Sequence, residues 1–128
     1  MNTVVSSDDL VRRYIDAYNR FDIDAMCALL TPAIRFEHYA SGALGAQASG
    51  LPAFRALAET GAALFTQREQ RVTALRIDGH QAFAAIAFQG TLAAAVPGGP
   101  PAGTVLTMDG SSVFTFDQGR ISKIIDSA

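Results

Sequence analysis

A chain of 128 residues, 49% hydrophobic and 17% charged, has the size of one domain that buries roughly two-thirds of its unfolded surface. Its net charge is -2 and its ten Lys and Arg residues are scattered, which argues against a nucleic-acid footprint, and no apolar run is long enough to span a bilayer. One cysteine excludes an internal disulfide, and two distant histidines without a Cys-x-x-Cys pair argue against an all-protein zinc site.

The opening "MNTVVSSDD" is too short and too acidic for a signal peptide, so the expectation is a cytoplasmic protein, residues 1–128 forming a single domain. Ser6 followed by Asp9 is a capping-box variant that opens a first helix. Leu10, Val11, Tyr14, Ile15, Tyr18 and Phe21 recur at helical spacing and make its apolar face. Asp22 caps a short second helix through Ile23, Met26, Cys27 and Leu30, where Cys27 reads as a buried structural thiol rather than a nucleophile. Thr31-Pro32 stops it, because proline disfavours helix in the residue before it.

"AIRFEHYASG" then alternates with period two, placing Ile34, Phe36 and His38 on one face. That face should point at the core, so an inward histidine needs a reason. The next stretch, "ASGALGAQASG", has small residues and no periodicity and reads as a mobile loop, a lid over whatever His38 faces. A third helix starts near Pro52 with a stripe of Phe54, Leu57, Ala58, Gly61, Leu64 and Phe65, Gly61 allowing close approach to a sheet. From Arg68 the period changes. "RVTALRID", "AFAAIAFQGTLAAAV", "GTVLTMDGSSVFTFD" and "RISKIID" read as strands joined by "DGHQ", "PGGPPA" and "DQG", with His80 in a solvated turn. The strand from Ala82 is apolar on both faces, Phe83, Ala85 and Ala87 against Ala84, Ile86 and Phe88. Helices cover one such face, and a second subunit is the natural cover for the other. The element order makes the chain α+β, a curved antiparallel sheet with helices on its concave side.

That order and two stretches resemble the nuclear transport factor 2-like, cystatin-like fold, in its ketosteroid isomerase and SnoaL-like cyclase branch. "VRRYIDAYNRFDIDAMCALLTPAIRFEH" is similar to the isomerase pattern: a mid-helix tyrosine, an Asn-x-x-Asp junction, then a strand with Glu followed by the base. "VFTFDQGRISKI" resembles the family's terminal hairpin. The resemblance implies a cone-shaped sheet around a deep pocket, a homodimer, no cofactor or metal, and a small apolar or polyketide-like ligand. It puts Tyr14 where the isomerases have an oxyanion donor, His38 where they have the proton-shuttling aspartate, and Ser112 where they have a second, protonated aspartate.

An imidazole ordinarily titrates near pH 6.5, so a histidine base with a tyrosine donor suits enolisation, dehydration or aldol-type cyclisation of a cyclic carbonyl compound. The alternative is a polar pair in a pocket that only binds, or a dimerising module of the same fold. Tyr18, Phe36, Phe54, Phe88 and Met108 fall where they would wall the pocket. Strand parity puts Asp109 outside unless Gly110 marks a bulge, and Asp126 reads as a solvated terminal carboxylate rather than a group at the pocket mouth. The inward Asp-Arg-Asp set of the family's epoxide-hydrolase branch does not assemble from these strands.

Overall fold

The computed structural model describes residues 6–128, so the first five residues of the "MNTVVSSDD" opening lie outside the described residues. Helix α1 (Ser7–Asn19) starts where the capping box puts it, with the Asp9 amide donating to Ser6 Oγ at 3.1 Å. Leu10, Val11, Tyr14 and Ile15 are its buried face. Helix α2 (Ile23–Ala28) is capped by Asp22, whose Oδ1 accepts from the Ala25 amide at 3.0 Å. Cys27 is buried on it, and burial raises its thiol above the ordinary range, as befits a structural residue.

Strand β1 (Leu30–Ala40) begins before the proline rather than after it. Pro32 costs no ladder bond there, because β1 leaves its regular pairing between Leu30 and Arg35. The stretch expected to be a loop is instead strand β2 (Ala43–Ser49), paired antiparallel with β1 from Arg35↔Ser49 to Ala40↔Ala43. Ser41 (φ 52°) and Gly42 (φ 79°) form the tight turn between them. Its alternation is weak, Ala46 and Ala48 turning inward between exposed Gly45, Gln47 and Ser49, and the strand is held by backbone pairing along a sheet edge.

Helix α3 (Leu51–Ala63) has Pro52 in its first turn and buries Phe54. Gly61 does not serve a close approach: a Cβ there would meet nothing within 4 Å, because the position faces open space beneath the sheet. Strand β3 (Phe65–Asp78) starts six residues before the expected "RVTALRID". It is followed by β4 (Gln81–Leu92), β5 (Val105–Asp117) and β6 (Arg120–Ser127), with His80 in the first turn as expected.

The six strands form one sheet in the order β2-β1-β6-β5-β4-β3. All neighbours are antiparallel except β1 and β6, which run parallel. The sheet curves like a cone but does not close, leaving β2 and β3 as its two edges. The inner face carries the core of Val11, Leu30, Ile34, Phe114, Ile121 and Ile124, with α1 against β3 and β4 and α3 against β1 and β2. The outer face is less covered. Phe83, Val113 and Ile125 are register partners on it and only half-buried, and charge appears along β3 at Glu69, Arg71 and Arg76. Among the described residues, no helix is long and apolar enough to cross a membrane.

Candidate active site

Strand register builds the site. His38 on β1 is the partner of Asp126 on β6, and Asp126 is the partner of Ser112 on β5. Paired residues project from the same face of strands about 4.8 Å apart, so the three side chains form one row across the inner surface. Ser112 Oγ donates to Asp126 Oδ1 at 2.7 Å. Burial pushes the Asp126 carboxyl up from its ordinary range, while the Ser112 hydrogen bond and the His38 charge pull it down. Asp126 is thus no solvated terminal carboxylate. Parallel pairing of the last strand with the first, which no local pattern encodes, carries it beside His38.

Asp109 stays outside and exposed, since the β4–β5 register runs unbroken past it and Gly110 marks no bulge. The reason for a glycine there is different: a Cβ on Gly110 would lie 2.5 Å from the Ser127 carbonyl oxygen. The close approach presses the end of β6 against β5, next to the Ser112–Asp126 bond.

Above this row, between the sheet and the helices, lies a cavity of about 420 Å³. His38, Tyr14, Tyr18 and Ser112 line it. Phe36 and Phe54 form part of the wall as an edge-to-face pair with centroids 5.8 Å apart, and Phe88 forms another with Phe65 at 5.4 Å. Met108 is 44% exposed and so belongs to the rim. Ala46 of β2 also lines the cavity, which makes the segment expected to be a lid a fixed wall.

Tyr14 is buried, its ring edge-to-face with Phe114 at 5.8 Å, and its hydroxyl has no hydrogen-bond partner among the described residues. Burial first, then the Asp126 charge, raises its phenol well above the ordinary range, so it remains a neutral donor. Tyr18 is raised by burial and pulled back by the Arg68 charge.

Arg68 and Gln70 are lining residues that the sequence reading missed. They lie on the part of β3 that follows α3 without a visible change of period. Asn19, from the Asn-x-x-Asp junction, holds that part of β3 to α1: its Nδ2 donates to the Gln70 carbonyl at 3.0 Å and its Oδ1 accepts from the Gln70 amide at 2.7 Å. Arg68 and Asp126 share the cavity, and among the described residues no second aspartate lines it to make an Asp-Arg-Asp set.

A family model for the SnoaL-like domain matches residues 11–124. The chain belongs to the SnoaL-like domain family. Among solved structures, this SnoaL-like chain is similar to a candidate polyketide cyclase from Xanthomonas campestris pv. campestris, with a TM-score of 0.82 at 22% identity over 94% of this chain and 88% of that one. A SnoaL-like candidate polyketide cyclase from Jannaschia sp. gives 0.75 at 18% over 98% and 88%. A protein of ketosteroid isomerase-like fold from Catenulispora acidiphila, in complex with trimethylamine, gives 0.79 at 13% over 94% and 85%. At these identities the likeness is one of fold. No curated protein sequence matches the chain.

Proposed function

We propose that this SnoaL-like protein is a cofactor-free proton-transfer enzyme, an isomerase, cyclase or dehydratase, acting on a cyclic or polyketide-like carbonyl compound. The observation that carries the reading is the inward row of His38, Asp126 and Ser112 beneath a cavity that also receives the unpartnered Tyr14 hydroxyl. His38 takes the proton from the carbon next to the carbonyl. As charge moves onto the carbonyl oxygen, Tyr14 donates a hydrogen bond that strengthens with that charge. Asp126 faces the imidazolium so formed, and Ser112 holds the carboxylate in place. The His38 charge favours the ionised Asp126 carboxylate that burial disfavours. The same proton returns to a different atom of the enol, or assists departure of a hydroxide as water.

A cavity not filled by aromatic rings supports a small-molecule site over a purely associative module. The half-buried outer row of Phe83, Val113 and Ile125 supports a homodimer packed through that face.

The test is deuterium exchange at the α-carbon of a panel of cyclic ketones, followed by NMR. Wild type should catalyse exchange, and His38→Gln and Asp126→Asn should each lower the rate by about 10²–10⁴-fold. Ketones that bind without exchanging would leave the protein a binder, and exchange untouched by both substitutions would place the chemistry elsewhere.

A further inference from the structure

Arg68 is a buried cation that the proton-transfer chemistry does not use. It is 7% exposed, points inward from β3 and lines the cavity. Its Nε donates to the Tyr18 carbonyl at 2.9 Å, but its Nη2 is buried with no hydrogen-bond partner among the described residues. No carboxylate among the described residues pairs with it; the ion pairs found are on the surface, at Arg12, Arg13, Arg20, Arg55 and Arg76. What surrounds it is aromatic. Its guanidinium carbon lies 3.7 Å from the Tyr18 ring centroid and 4.5 Å from that of Phe21. Phe21 sits at φ 59°, a conformation unusual for a bulky residue, and this turn between α1 and α2 brings its ring to Arg68.

An arginine stays charged even when burial lowers its pKa, so this arrangement leaves a desolvated charge in the cavity wall, with the Nη2 donor unmet behind the surface. Apolar packing would be the cheaper way to fill such a position. We infer that Arg68 receives an anionic oxygen of the ligand, a carboxylate above all, on the side of its guanidinium that lines the cavity. The planar fork of donors matches a carboxylate, and the rings behind it hold the fork still.

The placement also sets the ligand's direction. Arg68 is on edge strand β3, whereas His38 and Asp126 are on β1 and β6 toward the other side of the sheet. An acid anchored at Arg68 is repelled by Asp126 and therefore presents its far end to the His38 row. Tyr14 lines the same cavity, and the Asp126 and Arg68 charges act on its phenol with opposite sign. Combined with the proton-transfer reading, on which this last step rests, the substrate class is a cyclic carbonyl compound bearing a carboxylate remote from the reacting carbon.

The experiment compares 2-naphthoate with 2-naphthamide, equal in shape and different in charge, by calorimetric titration of the full chain. Wild type should prefer the carboxylate by at least about tenfold, the scale of a hydrogen bond to a charged group. Arg68→Gln should reduce the ratio below roughly threefold, and Arg68→Lys should keep part of it. A wild-type ratio near one, binding of neither compound, or a preference that survives Arg68→Gln would overturn the inference. The wild-type ratio decides even if Arg68→Gln does not fold. His38→Gln should lose α-exchange and leave the ratio intact, whereas absence of α-exchange in wild type with a retained carboxylate preference refutes the chemistry and not the anion site.

Discussion

Ser112→Ala removes one hydrogen bond and almost no volume. The bond is 2.7 Å long, its donor is 5% exposed, and its acceptor is a carboxylate that burial already makes harder to ionise. At neutral pH a bond to a charged group of this kind contributes about 1.5–3 kcal/mol, against about 0.5–1.5 for a neutral pair. The pH dependence follows from the direction of the Asp126 shift. A carboxyl whose folded pKa is raised favours the folded state when protonated, an advantage complete below its unfolded pKa and lost as pH rises through the folded one. Because the Ser112 bond opposes that shift, its removal raises the folded pKa further and makes the variant gain more on acidification than wild type. The stability gap should therefore narrow from about 1.5–3 kcal/mol at pH 7.5 to about 0.5–1.5 near pH 4. Urea unfolding at both pH values, with m-values compared to confirm similar transitions, measures it. A gap that is constant or widens toward acid would mean that Ser112 does not bond an ionised Asp126.

Gly110→Ala places a methyl 2.5 Å from the Ser127 carbonyl, and the resulting overpacking should cost about 1–3 kcal/mol in urea unfolding; a change below about 0.5 would show that β6 yields freely at its end. Phe54→Ala, at a side chain 3% exposed that packs on Phe36, should destabilise by about 3–5 kcal/mol, and a smaller loss would mean that the cavity wall collapses to fill the space. Tyr14→Phe should weaken binding of phenols by about 0.5–1.5 kcal/mol when the ligand is neutral and 1.5–3 when it is ionised, and the loss should be non-additive with His38→Gln in a double-mutant cycle. Hydrogen exchange should find the amides of β2 that bond to β1 slower than those of Gly98 and Gly99; equal rates would restore the mobile-loop reading of that segment.

Where the chain's own chemistry is local, the sequence was readable. Ser6 and Asp22 act on amides three residues away, and the parity of Ile34, Phe36 and His38 follows from strand geometry alone. The failures share a cause. Strand β2 is specified by its neighbour and by the Ser41-Gly42 turn, because the side chains it turns inward, Ala46 and Ala48, are too small to mark an apolar face in the sequence. The start of β3 is hidden because Phe65 continues the apolar stripe of α3 and a shift in strand register follows it directly, before Gln67. A second shift, between Val72 and Ala74, moves the inward side of β3 from even to odd positions, so no single alternation runs through Arg68 and Leu75. Asp126 looked like an ordinary terminal carboxylate for want of any local sign that β6 would join β1.

That junction has a consequence in time. The row holding His38 and Asp126 is stitched from residues near opposite ends of the chain, and the Ala128 amide closes the seam by donating to the Tyr39 carbonyl at 2.9 Å. Pairings so distant along the chain carry the largest loop-closure entropy and form late. During synthesis β1 emerges before β6 and must wait, one edge unpaired, until β6 leaves the ribosome. His38 therefore acquires its carboxylate at the step that completes the sheet, and the competence of the site reports that all six strands have been paired.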